Sequence, residues 1–313
     1  MPYSHTDTNM TQSSGLAPGM QTYYNRTLIE TFEPVLVHLQ FGDAMPMPLN
    51  NGLVMNIRKP VPVPTKVTPL NEGNPGDSIM LSETEVTMTL EQYGAFARLT
   101  DKLDMSHLDI KILSRVKNFA DAGARSIDAV VRDEIAKSTN VLYAGGKTER
   151  SQLTAADKLT SDLILDAVKI LKKNKAQRFG GYYVGIIGPD TWRVLWDDER
   201  FQRVAEYQDK EAVYTGEIGR IGGVRLVEST EAKVFEGAGS ASADVASVAI
   251  LGQHAYAYTS WRGANPRVIA KPAGSAGTAD PLDQLSTVGW KMDGFGVKLI
   301  QPEYCVRIEC GIA

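Results

Sequence analysis

From Asp104 to Ser138, Leu108, Ile112, Val116, Phe119, Gly123, Ile127, Val130 and Ile135 form one stripe at steps of three to five. Lys111, Arg115, Asp121, Arg125, Asp128 and Arg132 fall mostly off that stripe. This spacing predicts an amphipathic helix over 104–138. At about 1.5 Å per residue it would run roughly 50 Å, long enough to act as a backbone for the whole chain.

The segment before it reads in the opposite way. Seven of the chain's 15 prolines, from Pro46 to Pro75, punctuate residues 42–75. Proline cannot donate to a strand ladder, so it confines the β-favouring run Leu53–Arg58 to an edge. Ser82–Leu90 alternates hydroxyl or acid with Val, Met and Leu, the two-residue period of a strand. Together these predict a long extended hairpin standing away from a core. Ahead of it, Met20, Tyr23, Tyr24, Leu28, Phe32 and Leu36 recur at helical spacing, broken at Pro34. So short a segment needs another surface to cover its apolar stripe. Residues 1–16 are polar and read as a flexible tail with no secretory signal.

After residue 154 the pattern turns to alternating helices and strands. Thr160 or Ser161 can cap a helix over 162–173. Residues 182–187 read as a buried strand, Pro189 opens a helix over 190–196, and 224–228 and 245–251 read as strands. Residues 287–297 and 297–310 close the chain as long strands with a turn at Gln301-Pro302.

Enzymatic motifs fail on inspection. Gly145-Gly146-Lys147-Thr148 lacks the earlier glycine of a phosphate loop, where Val141 stands, and reads as a glycine-rich helix exit. Gly216, Gly219, Gly222 and Gly223 do not match a dinucleotide fingerprint and read as a mobile loop. Asp197-Asp198-Glu199 read as a solvated helix end. The four histidines have no ligand-like spacing, so no metal or cofactor is expected. Cys305 and Cys310 lie five apart in a strand and so on opposite faces, which predicts two buried free thiols in a reducing compartment. No apolar run approaches the ~18 residues of a membrane helix. Net charge is −4, so any nucleic-acid contact must be local. Basic residues cluster at Arg58-Lys59, at Lys172, Lys173, Lys175 and Arg178, and at Arg262, Arg267 and Lys271.

Several runs carry a family resemblance. They include Gly15–Met20 with Tyr23–Leu28, Gln92-Tyr93-Gly94, Ala144–Lys147, Leu153–Thr160, Gly216–Arg225, Glu228–Ala232, Gly274–Leu282 and Thr287–Lys291. In that order, the chain resembles tailed-phage major capsid proteins of the HK97-like fold, of the enquatrovirus type. The resemblance implies an α+β fold in family terms: an N-terminal arm over 1–41, an extended E-loop hairpin over 42–95, and a peripheral (P) domain over 96–149 with the spine helix. An axial (A) domain would follow over 150–270, and P-domain closing strands over 271–313.

The function implied is that of a non-enzymatic shell subunit in the virion. Hexamers and pentamers of this one chain would form an icosahedral head, assembled in the host bacterial cytoplasm, that encloses double-stranded DNA held without sequence preference. A separate scaffolding protein and a portal are implied, since 1–41 is too short for the fused scaffold of some relatives. A decoration protein is left open. An encapsulin-like shell around protein cargo is the alternative, and a small-molecule enzyme a more distant one. Tyr23, Tyr24, Leu28, Leu53, Val54, Ile57, Arg58 and Lys59 are the expected inter-subunit contacts, and Lys59 is not expected to crosslink.

Overall fold

The computed structural model describes residues 37–65, 72–73, 78–106, 116–198, 217–261, 266–275 and 280–312. The amphipathic stretch proposed for residues 17–40 falls largely outside them. In chain order the elements are β1 (Asp43–Ala44), β2 (Val54–Pro60), β3 (Glu83–Thr89), β4 (Glu91–Thr100), α1 (Asp101–Ser106) and α2 (Val116–Ile135). Next come β5 (Val141–Tyr143), α3 (Ser161–Lys173), β6 (Tyr183–Ile187), α4 (Pro189–Trp196), β7 (Glu217–Ile221) and β8 (Val224–Glu228). The chain ends with β9 (Val234–Phe235), β10 (Asp244–Leu251), β11 (Tyr256–Ser260), β12 (Arg267–Lys271), β13 (Leu285–Leu299) and β14 (Cys305–Ile312).

The strands form two large sheets and a separate hairpin. In the five-stranded sheet, β13 is the axis: β4 pairs along one edge, β11 and β12 share the other, and β1 adds in parallel to β11. The seven-stranded sheet runs β5-β14-β10-β6-β8-β7, with β9 beside β10. β6 is buried along its whole length because both faces of this sheet are covered. Tyr183 and Ile187 face the cluster under α3, with Ile164, Val168 and Leu171. Val184 and Ile186 face Ile127, Val131 and Ile135 of α2 and Trp290, Met292 and Phe295 of β13.

The two cysteines follow the same alternation. Cys305 lies in the α2 cluster and Cys310 in the α3 cluster, and both are free and buried. α2 comes close to β13 because it carries a glycine at the contact: a Cβ on Gly123 would stand 3.0 Å from the Trp290 ring.

The structure departs from the sequence expectations at four places. The helix expected over 104–138 appears as α1 and α2, with 107–115 outside the described residues, and α2 stops at Ile135. There the backbone turns and the Ser138 hydroxyl donates to the Cys305 carbonyl at 2.9 Å. The Gly216–Gly223 stretch, expected as a mobile loop, contains the β7–β8 hairpin. Gly222 and Gly223 have φ of 57° and 88°, the two positive values that a two-residue type I′ turn requires. Gly145-Gly146 leaves β5 rather than a helix. The run at Asp197 is more than a solvated face, because an Asp198 carboxylate oxygen accepts from the Ser161 amide at 2.8 Å. It supplements Thr160, whose hydroxyl accepts from Leu163 N at 3.5 Å, and so satisfies a second orphan donor of α3.

Candidate assembly surfaces

β2 and β3 pair antiparallel from Val54↔Thr89 to Pro60↔Glu83. Their alternation sorts the side chains. Met55, Ile57 and Lys59 turn inward, and Val54, Asn56, Arg58 and Pro60 turn to solvent. At the root, buried Met88 and half-buried Ile57 pack with Ala257 and Ile300 of the body. The ladder ends where the Val61 amide donates to the Ser82 carbonyl at 2.9 Å; beyond it Pro62 and Pro64 have no donor. The tip exposes Val61, Val63, Ile79, Met80 and Leu81, with Met80 at 92% and Leu81 at 81%. Apolar side chains of this size, so close together and so exposed, mark an interaction surface.

Of the expected contact residues, Tyr23, Tyr24 and Leu28 lie outside the described residues. Leu53, Val54 and Arg58 are exposed along the hairpin. Ile57 and Lys59 face the chain's own body, and Lys59 Nζ stands 3.3 Å from the Glu303 carboxylate.

A second surface, which no local sequence pattern announced, lies on the five-stranded sheet. Trp290 and its alternate neighbours on β13 pack toward α2, so Gly289 faces the other way. The register sets Phe96 on one side of Gly289 and Ile269 on the other. With no side chain between them, these two wall a groove of about 500 Å³. Phe96 is 64% exposed, and the Arg98 guanidinium lies 5.4 Å from its ring centroid. Lys271 and Lys291 add further positive charge along the groove. Lys291 is paired with Asp293 at 2.9 Å, whereas Arg98 and Lys271 have no ion pair among the described residues.

The strap 37–47 joins these surfaces to the core. His38 Nδ1 meets Asp128 of α2 at 2.7 Å, and the Leu39 amide donates to the same carboxylate at 3.0 Å. The Tyr256 hydroxyl donates to the His38 carbonyl. Asp43 meets His254 at 2.6 Å, while Met45 N and Met47 N donate to carbonyls of β11 and its C-terminal end. The root of the hairpin is thus held on two sides before the chain enters β2.

Among the described residues, no group of three or more His, Cys, Asp or Glu side chains could hold a metal ion. No described helix is long and apolar enough to cross a membrane. Of the basic clusters, Arg267 is paired with Asp293 at 2.9 Å and Arg262 lies outside the described residues. The cluster at the end of α3 is exposed.

Comparison with known proteins points one way. Residues 83–308 match a family described as phage capsid protein. The fold is similar to the capsid of Ralstonia phage GP4, at 12% identity over 98% of this chain and 99% of that one, with a TM-score of 0.70. It is similar also to the cyanophage Pam1 capsid, at 13% identity over 97% and 100% with a TM-score of 0.70. A chain of Mycobacterium phage Che8 shares 18% identity over 92% and 96% with a TM-score of 0.66. No curated protein matches in sequence.

Proposed function

The chain belongs to the phage capsid protein family with the α+β HK97-like fold, and on that premise we propose that it is the wall subunit of an icosahedral head, joined as hexamers and pentamers around double-stranded DNA. Its place is the virion capsid; assembly in the host bacterial cytoplasm, aided by a separate scaffolding protein and a portal, completes the reading. An encapsulin-like role is not favoured, since the family matched is that of phage capsids.

The observation that carries this reading is the hairpin tip. Met80 and Leu81 are nearly fully exposed on a single chain, and a second copy offers them a partner in the groove between Phe96 and Ile269. Charge agrees with shape. The tip strand carries Glu83 and Glu85, both exposed, and the groove carries Arg98 and Lys271. Each 100 Å² of apolar area covered there would contribute about 2.5 kcal/mol gross. Many such contacts per shell would add up even after the tip is ordered. In this reading 42–95 acts as the E-loop, 96–149 and 271–313 as the P domain, 150–270 as the A domain and 1–41 as the arm. Leu53, Val54 and Arg58 then flank the contact on the exposed face, with Tyr23, Tyr24 and Leu28 serving it from the arm.

The test is negative-stain electron microscopy beside sizing chromatography, for the full chain and for a variant with 61–82 replaced by a two-residue turn. The full chain is expected to yield uniform shells. The shortened chain should stay folded and soluble, because the root contacts at Met88 and Ile300 remain, yet yield no shells. Normal particles from the shortened chain would sink the assignment of the tip.

A further inference from the structure

The end of α3 carries a density of positive charge that the shell reading does not use. Lys169, Lys172 and Lys173 stand at i, i+3 and i+4, and Lys175 and Arg178 follow within the next turn of chain. All five are exposed. None has an ion pair among the described residues; Arg178 donates only to the Gly181 carbonyl, at 3.4 Å, and lies 5.3 Å from the Tyr183 ring centroid.

The helix dipole accounts for Lys172 and Lys173 in the last turn, but not for Lys169 a turn earlier or for the two cations beyond the helix. Lys175 even occupies a left-handed conformation, φ 58°, which a non-glycine residue adopts only at a local cost. The nearby acids form no ion pair with the patch among the described residues. Asp166 precedes Lys169 by three residues but is not paired with it. Glu303, whose backbone carbonyl accepts from Asn174 at the helix end, turns its carboxylate to Lys59. A chain of net charge −4 therefore places five cations that make no ion pair among the described residues on one short stretch, where like charges repel.

We infer that this patch, Lys169, Lys172, Lys173, Lys175 and Arg178, binds the phosphate backbone of double-stranded DNA without reading its sequence. Flexible lysine ammoniums on an exposed helix end suit phosphate contacts, which position a duplex but carry no base information. The inference rests on the reading of the chain as a shell subunit around DNA, and names the surface that meets it. Engagement of about four phosphates gives a slope of about −3.6 for log K against log salt. Affinity would then fall roughly 150-fold between 50 and 200 mM salt.

The experiment measures fluorescence anisotropy of labelled 20-base-pair duplexes of two unrelated sequences against unassembled full-length chains, with sedimentation of assembled particles in parallel. The variants are K169Q/K172Q/K173Q/K175Q and, as a control elsewhere on the surface, K147Q/K158Q. The wild type and the control should bind both duplexes equally with the steep salt slope. The patch variant, which keeps Arg178, should bind more than tenfold more weakly at 50 mM salt, with a slope no steeper than about −0.9, and still form particles. Unchanged binding by the patch variant, or no salt-dependent binding by the wild type, would overturn the inference. A patch variant that no longer assembles while the wild type does would also overturn it and give the patch to the acidic face of a second copy. A wild type without particles whose duplex binding is lost in the patch variant would fail the shell reading and keep the patch.

Discussion

Glu309 is fully buried in the middle of β14, between β5 and β10, and it faces two guanidiniums. Arg150 grips its carboxylate with Nε at 2.8 Å and Nη2 at 2.7 Å. Arg307 Nε lies 3.0 Å from the same carboxylate but off the line of a hydrogen bond. The two cations stand in different surroundings. The Arg150 side chain is 31% exposed and stacks 3.6 Å from the Phe235 ring centroid, so it can turn to water if its partner is lost. The Arg307 side chain is 10% exposed, and burial already draws its pKa down against the pull of Glu309.

E309A would therefore strand one buried charge rather than two, at a cost of about 3–5 kcal/mol. With ~2–4 °C of Tm per kcal/mol for a chain this large, melting should fall by roughly 10 °C. The double variant R307M/E309L removes the stranded charge together with its partner and should regain most of that loss, because apolar side chains can replace a buried ion pair at little cost. Thermal unfolding of unassembled chains by near-ultraviolet circular dichroism reads both. An E309A chain within about 1 kcal/mol of wild type, or a double variant less stable than E309A, would refute the reasoning.

Three further outcomes follow from the same geometry. Burial pushes the Cys305 thiol up to about 11 and the Cys310 thiol up to about 12, so a thiol reagent at pH 8 should label neither in the native chain and both after unfolding; native labelling of either would contradict their packing. For Glu134, burial raises the carboxyl pKa, but Lys137 and Lys298 more than offset this and hold it below its usual 4.5. The stability it contributes is then present above about pH 4.5 and lost as pH falls through the depressed value; Asp133 acts in the same direction. E134Q should lower stability at pH 7 and flatten the acid limb of an unfolding series, and an unchanged limb would count against the pairing. Lys59 is engaged with Glu303, so boiled, reduced particles should run as a single band near 34.1 kDa, whereas a ladder would reveal a covalent weld between copies.

The elements legible in the sequence are those whose pattern is local. α3 shows its apolar face and its Thr160 cap, β6 its apolar run, β2 its β-favouring run and β3 its two-residue alternation. β4 hid because Gly94, Ala95 and Ala97 give it no strong β signal; it is held by its long pairing with β13 rather than by propensity. β7 hid because its glycines read as a loop until the Gly222-Gly223 turn closed it on β8. The candidate surfaces divide in the same way. The hairpin was visible because its alternation and prolines are contiguous. The groove was not, because Phe96, Ile269 and Gly289 meet only across three strands far apart in the chain.

Residues 300–304 show why the last strands could not be weighed from their own pattern. β13 is the axis of one sheet and β14 lies between β5 and β10 in the other, so this short connection carries the covalent step between them. The hairpin bears on it through Met88 against Ile300 and Lys59 against Glu303. α3 bears on it through Asn174, which donates to the Glu303 carbonyl at 3.0 Å. The turn after α2 bears on it through Asn140, which donates to the Pro302 carbonyl at 2.9 Å. A cleft of about 570 Å³ between the hairpin root and this connection leaves the contact incompletely packed. Hairpin root, sheets and basic helix end therefore meet at one joint, and a force on the tip reaches both sheets through a few hydrogen bonds and one exposed ion pair. Such a pair contributes at most about 1 kcal/mol, so the hairpin angle is set mainly by the apolar contact of Met88 with Ile300 and Ala257.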